Sequence, residues 1–149
     1  MHALLRGTLA AALLAAAAGL SGCAGVFGGA KADALPPLEA GKARIVVYRI
    51  SMRGAPWPPE VMLNGESLGR ADRSGMAWRD VPPGSYTVAT SQNDHVLHFL
   101  AAAGERKYVR LAAGFFDDQV RPELVDPGKG ASDVAGLGPF GPTKPPAKK

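Results

Sequence analysis

The sequence predicts an all-β fold, a small antiparallel sandwich or barrel of six to eight short strands. Three observations lead there. Short β-branched and aromatic runs recur at regular spacing between Lys42 and Asp126, which is how strands of a sandwich read. Turn signals separate them, above all Asn64-Gly65 and Pro82-Pro83-Gly84. No helical period of apolar residues competes inside this stretch.

Taken in order, "ARIVVYRI" from Ala43 is dense in β-branched residues, as expected of a central strand buried on both faces. "EVMLNGESLGRA" carries Asn64-Gly65 between two strand-like runs, and a type I′ hairpin needs positive φ at both central positions. "GMAWRDV" follows, then the Pro-Pro-Gly turn, then "SYTVATS" with its two-residue alternation. "HVLHFLAA" comes after Gln92-Asn93-Asp94, and Gly104-Glu105 makes the corner into "KYVRLAA". "DQVRPELV" reads as a last edge strand, where Pro122 is tolerated.

The amino terminus is organised differently. "MHALLR" carries one positive charge, Arg6, and is followed by 14 uncharged residues from Gly7 to Leu20. As a helix that run is about 21 Å long, short of the roughly 30 Å hydrocarbon core, so it reads as a secretory signal peptide. Cys23, the single cysteine of the chain, follows in "GLSGCAG". "LSGC", Leu20 to Cys23, resembles a bacterial lipobox. That resemblance implies cleavage between Gly22 and Cys23 and lipid attachment at Cys23, with the membrane as partner. One acyl chain binds marginally and two or more hold stably. Because the next residue is Ala24 and not the Asp that looks like an inner-membrane retention signal, the resemblance further implies the outer membrane, with the domain facing the periplasm. The competing reading is ordinary secretion with cleavage near Ala34.

The chain then divides into a signal peptide (1–22), a Gly/Ala/Pro-rich tether (23–41), a folded body (42–126) and a Gly/Pro/Lys-rich tail (127–149) expected to be mostly disordered. The tether's 18 residues after Cys23 would span about 20–25 Å as a flexible coil. Within the tail, Ala131–Leu137 has only a weak helical signal. Without Arg6, 16 Lys and Arg stand against 13 Asp and Glu. That excess is mild and spread out, unlike the concentrated basic stripe of a nucleic-acid binder.

"VMLNGESLGRADRSGMAWRDVPPGSYTV" has the order strand, Asn-Gly turn, Leu-Gly, connector, strand, Pro-Pro-Gly, strand. It resembles PEGA-type modules. With "IVVYR" before it and "AGERKYVRL" after, it also resembles an uncharacterised domain family found mostly in small bacterial lipoproteins. The markers are Tyr48-Arg49, Asn64-Gly65, Gly69, Pro82-Pro83-Gly84, Gly104 and Tyr108. The resemblance implies an immunoglobulin-like or transthyretin-like sandwich and brings no catalytic residues.

Candidates for chemistry are few. His95 and His98 stand three apart, which on a strand puts them on opposite faces, and no second cluster supplies the further ligands zinc needs. Asp117-Asp118 would diverge in an extended segment. Ser85 lacks a nucleophile elbow and an activating His/Asp arrangement. Neither a metal nor another cofactor is therefore expected. The sequence reads as a non-enzymatic, lipid-anchored envelope protein that contacts another envelope protein or a cell-wall polymer. The alternative is an enzyme or metal-binding protein with an unrecognised site, which would need a deep pocket with convergent polar groups. The connection "SMRGAPWPPE" is stiffened by three prolines around Trp57. A large aromatic usually finds burial, so Trp57 is expected to cap one end of the sandwich, and otherwise to be an exposed partner contact.

Overall fold

A computed structural model describes residues 35–50, 57–92, 94–113 and 119–142. The body is an all-β sandwich. Its strands are β1 (Ala43–Arg49), β2 (Glu60–Leu63), β3 (Glu66–Arg70), β4 (Gly75–Val81), β5 (Gly84–Thr90), β6 (Val96–Ala101), β7 (Arg106–Ala113) and β8 (Val120–Val125). Helix α1 (Pro127–Val134) and a two-residue strand β9 (Gly138–Pro139) follow. One sheet has the order β8-β7-β1-β4-β9, the other β3-β2-β5-β6.

The hairpin turns form as their residues dictate. Asn64 and Gly65 have φ of 48° and 81°, and the Asn64 side chain accepts a hydrogen bond from the Thr87 amide at 2.8 Å. Pro82 and Pro83 join β4 to β5, and the Tyr86 hydroxyl closes the turn by donating to the Pro82 carbonyl at 2.6 Å.

The β1 sequence serves two cores at once. Ala43, Ile45 and Val47 point between the sheets and pack with Val61, Leu63, Val88, Phe99, Val109 and Leu111. Val46 and Tyr48 point to the opposite face, where Tyr108, Val134, Leu35 and Leu137 cover them. This explains why every residue of β1 is buried.

One expectation needs correction, and two segments outside the expected body carry structure. The sandwich is not purely antiparallel: β1 pairs parallel with β7, Val46 opposite Tyr108, and β4 pairs parallel with β9. Parallel neighbours need a long crossover, and here the whole of β2 to β6 provides it. After the expected body, the stretch 127–142 includes α1 and β9. Asp126 caps α1 by accepting from the Gly128 and Lys129 amides at 2.9 and 3.2 Å, and Pro127 opens the helix, where its missing N–H is harmless. Before the expected body, the end of the tether lies against the sandwich. Leu35 packs on the outer core, and the Pro36 and Pro37 carbonyls accept from the Arg44 guanidinium.

Candidate functional site

Among the described residues nothing covers the outer face of the second sheet, and one rim of that face forms a shallow groove of about 680 Å³. Its floor is Met62, Ala89 and Val96, and its polar wall includes Ser91, Gln92, Asp94 and His95. The geometry follows from the end of β5. Thr90 is buried, its hydroxyl donating to the Val120 carbonyl at 3.3 Å. Ser91 then ties the strand end to β2, its hydroxyl accepting from the Glu60 amide at 3.0 Å and its amide donating to the Glu60 carbonyl at 2.9 Å. Gln92 is half-buried, and its side-chain amide nitrogen donates to the Trp57 carbonyl at 3.1 Å. The groove can therefore take a hydrogen-bonding group on an apolar floor.

Trp57 is 77% exposed. The expectation that it caps the sandwich is corrected: the ring stands in solvent, and Pro59, two residues on, is the side chain that is fully buried. Trp57→Ala is expected to leave the melting curve nearly unchanged, within about 0.5 kcal/mol of the parent. A loss of several kcal/mol in chemical denaturation would restore the cap.

The two histidines are not brought together. His98 lies exposed in β6, whereas His95 precedes the strand and lines the groove. Among the described residues no group of three or more His, Cys, Asp or Glu side chains could hold a metal ion. Ser85 sits exposed on β5 opposite Leu100. Cys23, Gly22 and Asp117-Asp118 lie outside the described residues. No described helix is long and apolar enough to cross a membrane.

Away from the groove, the strongest electrostatics hold the fold. Arg44 is buried on the outer face of β1 and meets Asp80, its cross-strand neighbour, at 2.5 and 2.7 Å. Its guanidinium also lies 4.2 Å from the centre of the Trp78 ring. The Arg44 hydrogen bond holds the Asp80 carboxyl below the usual carboxylate range. Burial, and then the 2.8 Å hydrogen bond to Asp133, push the Tyr48 hydroxyl upward. Asp133 is in turn lowered, first by Lys129 and then by Tyr48. Burial, reinforced by Arg73, lowers Arg49, which donates to the Ala71 carbonyl at 3.0 Å.

Sequence reasoning missed Gln92, Asp94 and Gln119 as groove residues, because the sheet faces that unite them are set by long-range pairing. It also missed the Arg44–Asp80 pair. The available signal was a lone basic residue within a β-branched run and an acidic one at the end of "GMAWRDV".

No curated protein and no solved structure matches the chain. Residues 39–120, more than half its length, match a family profile. That stretch runs from the segment fastened by Arg44 through β7 to the first residue of β8, and the chain belongs to the family described as protein of unknown function DUF2846.

Proposed function

We propose that this is a lipid-anchored envelope protein, held in the outer membrane through Cys23 after cleavage between Gly22 and Cys23, with a non-catalytic sandwich facing the periplasm. The sandwich contacts another envelope protein or a cell-wall polymer. The observation that carries the reading is the lone cysteine in "LSGC" at the end of a signal-peptide layout. The PEGA-type order of turns and strands belongs to the same proposal. Support for a contact role comes from the open outer face, the polar groove and the exposed Trp57. Function concentrates on stiff loops carried by a rigid scaffold, and the groove and Trp57 are joined through Gln92.

Cys23→Ser tests the anchor. The unprocessed precursor should accumulate, and any mature form should lose its detergent-phase partitioning. A variant that matures and partitions like the parent would contradict the reading. Crosslinking in the intact envelope, compared between the parent and Trp57→Ala, then tests the contact. Loss of a captured partner with unchanged stability supports it.

A further inference from the structure

The four sheet edges are not treated alike. β8 carries Arg121 and Pro122. β9 is two residues long. The edge strand β3 is covered at Arg70, whose amide and carbonyl both bond to Gly141 at 3.0 and 3.1 Å. Short edges, charge, proline and covering segments are the ways proteins blunt edge pairing. Among the described residues β6, "VLHFLA", has none of them, and nothing pairs with its outer side.

The direction of its backbone groups can be deduced. The Thr87 carbonyl accepts from the Asn64 amide at 2.9 Å, and the Thr87 amide donates to the Asn64 side chain at 2.8 Å. Both groups of Thr87 thus point toward β2. β5 must then bond β6 through the alternate residues, Tyr86 to Phe99 and Val88 to Leu97. Val96, His98 and Leu100 therefore present their N–H and C=O groups to the free edge. Their side chains all project from the outer face, where Val96 is 47% and Leu100 70% exposed.

We propose that β6 is a self-association edge, pairing antiparallel with β6 of a second copy about a two-fold axis at His98. In that register His98 faces His98 of the copy and Val96 faces Leu100 in both directions. It is the one antiparallel register about a two-fold that pairs all three edge-facing residues, and each pair exchanges two hydrogen bonds. Charge favours a copy as the occupant. Val96, His98 and Leu100, together with the neighbouring outward residues Ser85, Thr87 and Ala89, include no Asp, Glu, Lys or Arg. The surface offers no complement to a charged partner, and two copies meet without repulsion between such groups. Strand pairing alone buries less than the roughly 1,200 Å² of a standard stable interface, so the dimer is weak and concentration-dependent. Pairing does not depend on the lipid anchor, although confinement to a membrane would raise the local concentration.

The test uses the full chain in a Cys23→Ser background, which removes lipid attachment from the question, held in mild detergent because the apolar run Gly7–Leu20 is retained. Opposed residues of a hydrogen-bonded antiparallel pair lie about 5.5 Å apart at Cα, within disulfide reach. Added His98→Cys should therefore give an intermolecular disulfide under mild oxidation, while Ser85→Cys, one strand further in, should not. Sedimentation of the Cys23→Ser chain should show a reversible dimer. His98→Lys, which opposes two like charges across the axis, should weaken it about fivefold without lowering the melting temperature. A chain monomeric at every concentration, or a dimer indifferent to His98→Lys, would overturn the proposal.

Discussion

Arg44→Ala is expected to lower the unfolding free energy by about 3–5 kcal/mol, the usual effect of removing one partner from a buried ion pair. The side chain of Arg44 is 1% exposed and that of Asp80 13%, so the orphaned carboxylate would lose its guanidinium with little water to replace it. The Pro36 and Pro37 carbonyls would lose their donor as well, freeing the segment that leads into the fold. The acid limb of the stability curve provides a second reading. The folded-state affinity of Asp80 for a proton is depressed. Its contribution is thus present above the unfolded carboxylate range near pH 3.9 and lost as the pH falls through the lower folded value. Urea unfolding should show a steeper acid loss in the parent than in Arg44→Ala. Identical slopes and midpoints would mean that the pair is energetically idle.

Gly130→Val is expected to dislodge α1, at an overall loss of about 1–3 kcal/mol or more. A Cβ at residue 130 would overlap the Tyr108 ring and its Cβ, and Tyr108 is buried beneath the helix against Val46 and Tyr48. Lifting α1 would uncover that apolar face and break the hydrogen bond from the Tyr48 hydroxyl to Asp133. Amide exchange should accelerate across α1 and the adjoining β7, with the paired strands β2 and β5 less affected. Gly128→Val serves as the comparison: a Cβ there meets only the Asp126 carboxylate, at 3.1 Å. Equal, small effects of the two substitutions would show that the helix is only loosely seated.

The elements legible in the sequence are those set by local chemistry. Asn64-Gly65 fixes a turn through its φ requirement, Pro82-Pro83-Gly84 fixes another, and the strand-like runs around them become β2 to β6 with little shift in boundaries. What was not legible depends on residues far apart in the chain. The parallel partnership of β1 with β7 spans five intervening strands, and no local pattern encodes it. The burial of Arg44 is acceptable only because Asp80 arrives opposite it and Trp78 lies alongside. α1 is a mixed case. Its residues are poor in large apolar groups, which argued for disorder, yet Asp126-Pro127 is a helix-start signature, and Gly130 is useful because it lets the helix sit closely on Tyr108. The groove was illegible for a related reason: Met62, Ala89 and Val96 share a floor only once three strands are in register.

The anchoring claim is tested most directly by intact-mass and peptide mass spectrometry of the mature protein isolated from the producing cell's envelope. The proposal predicts a mature chain that begins at Cys23 and carries a diacylglyceryl group on the thiol and an acyl group on the new amino terminus, with no peptide from residues 1–22. A mature chain that begins elsewhere, near Ala34 for instance, or one that retains Cys23 as an unmodified thiol, would contradict it.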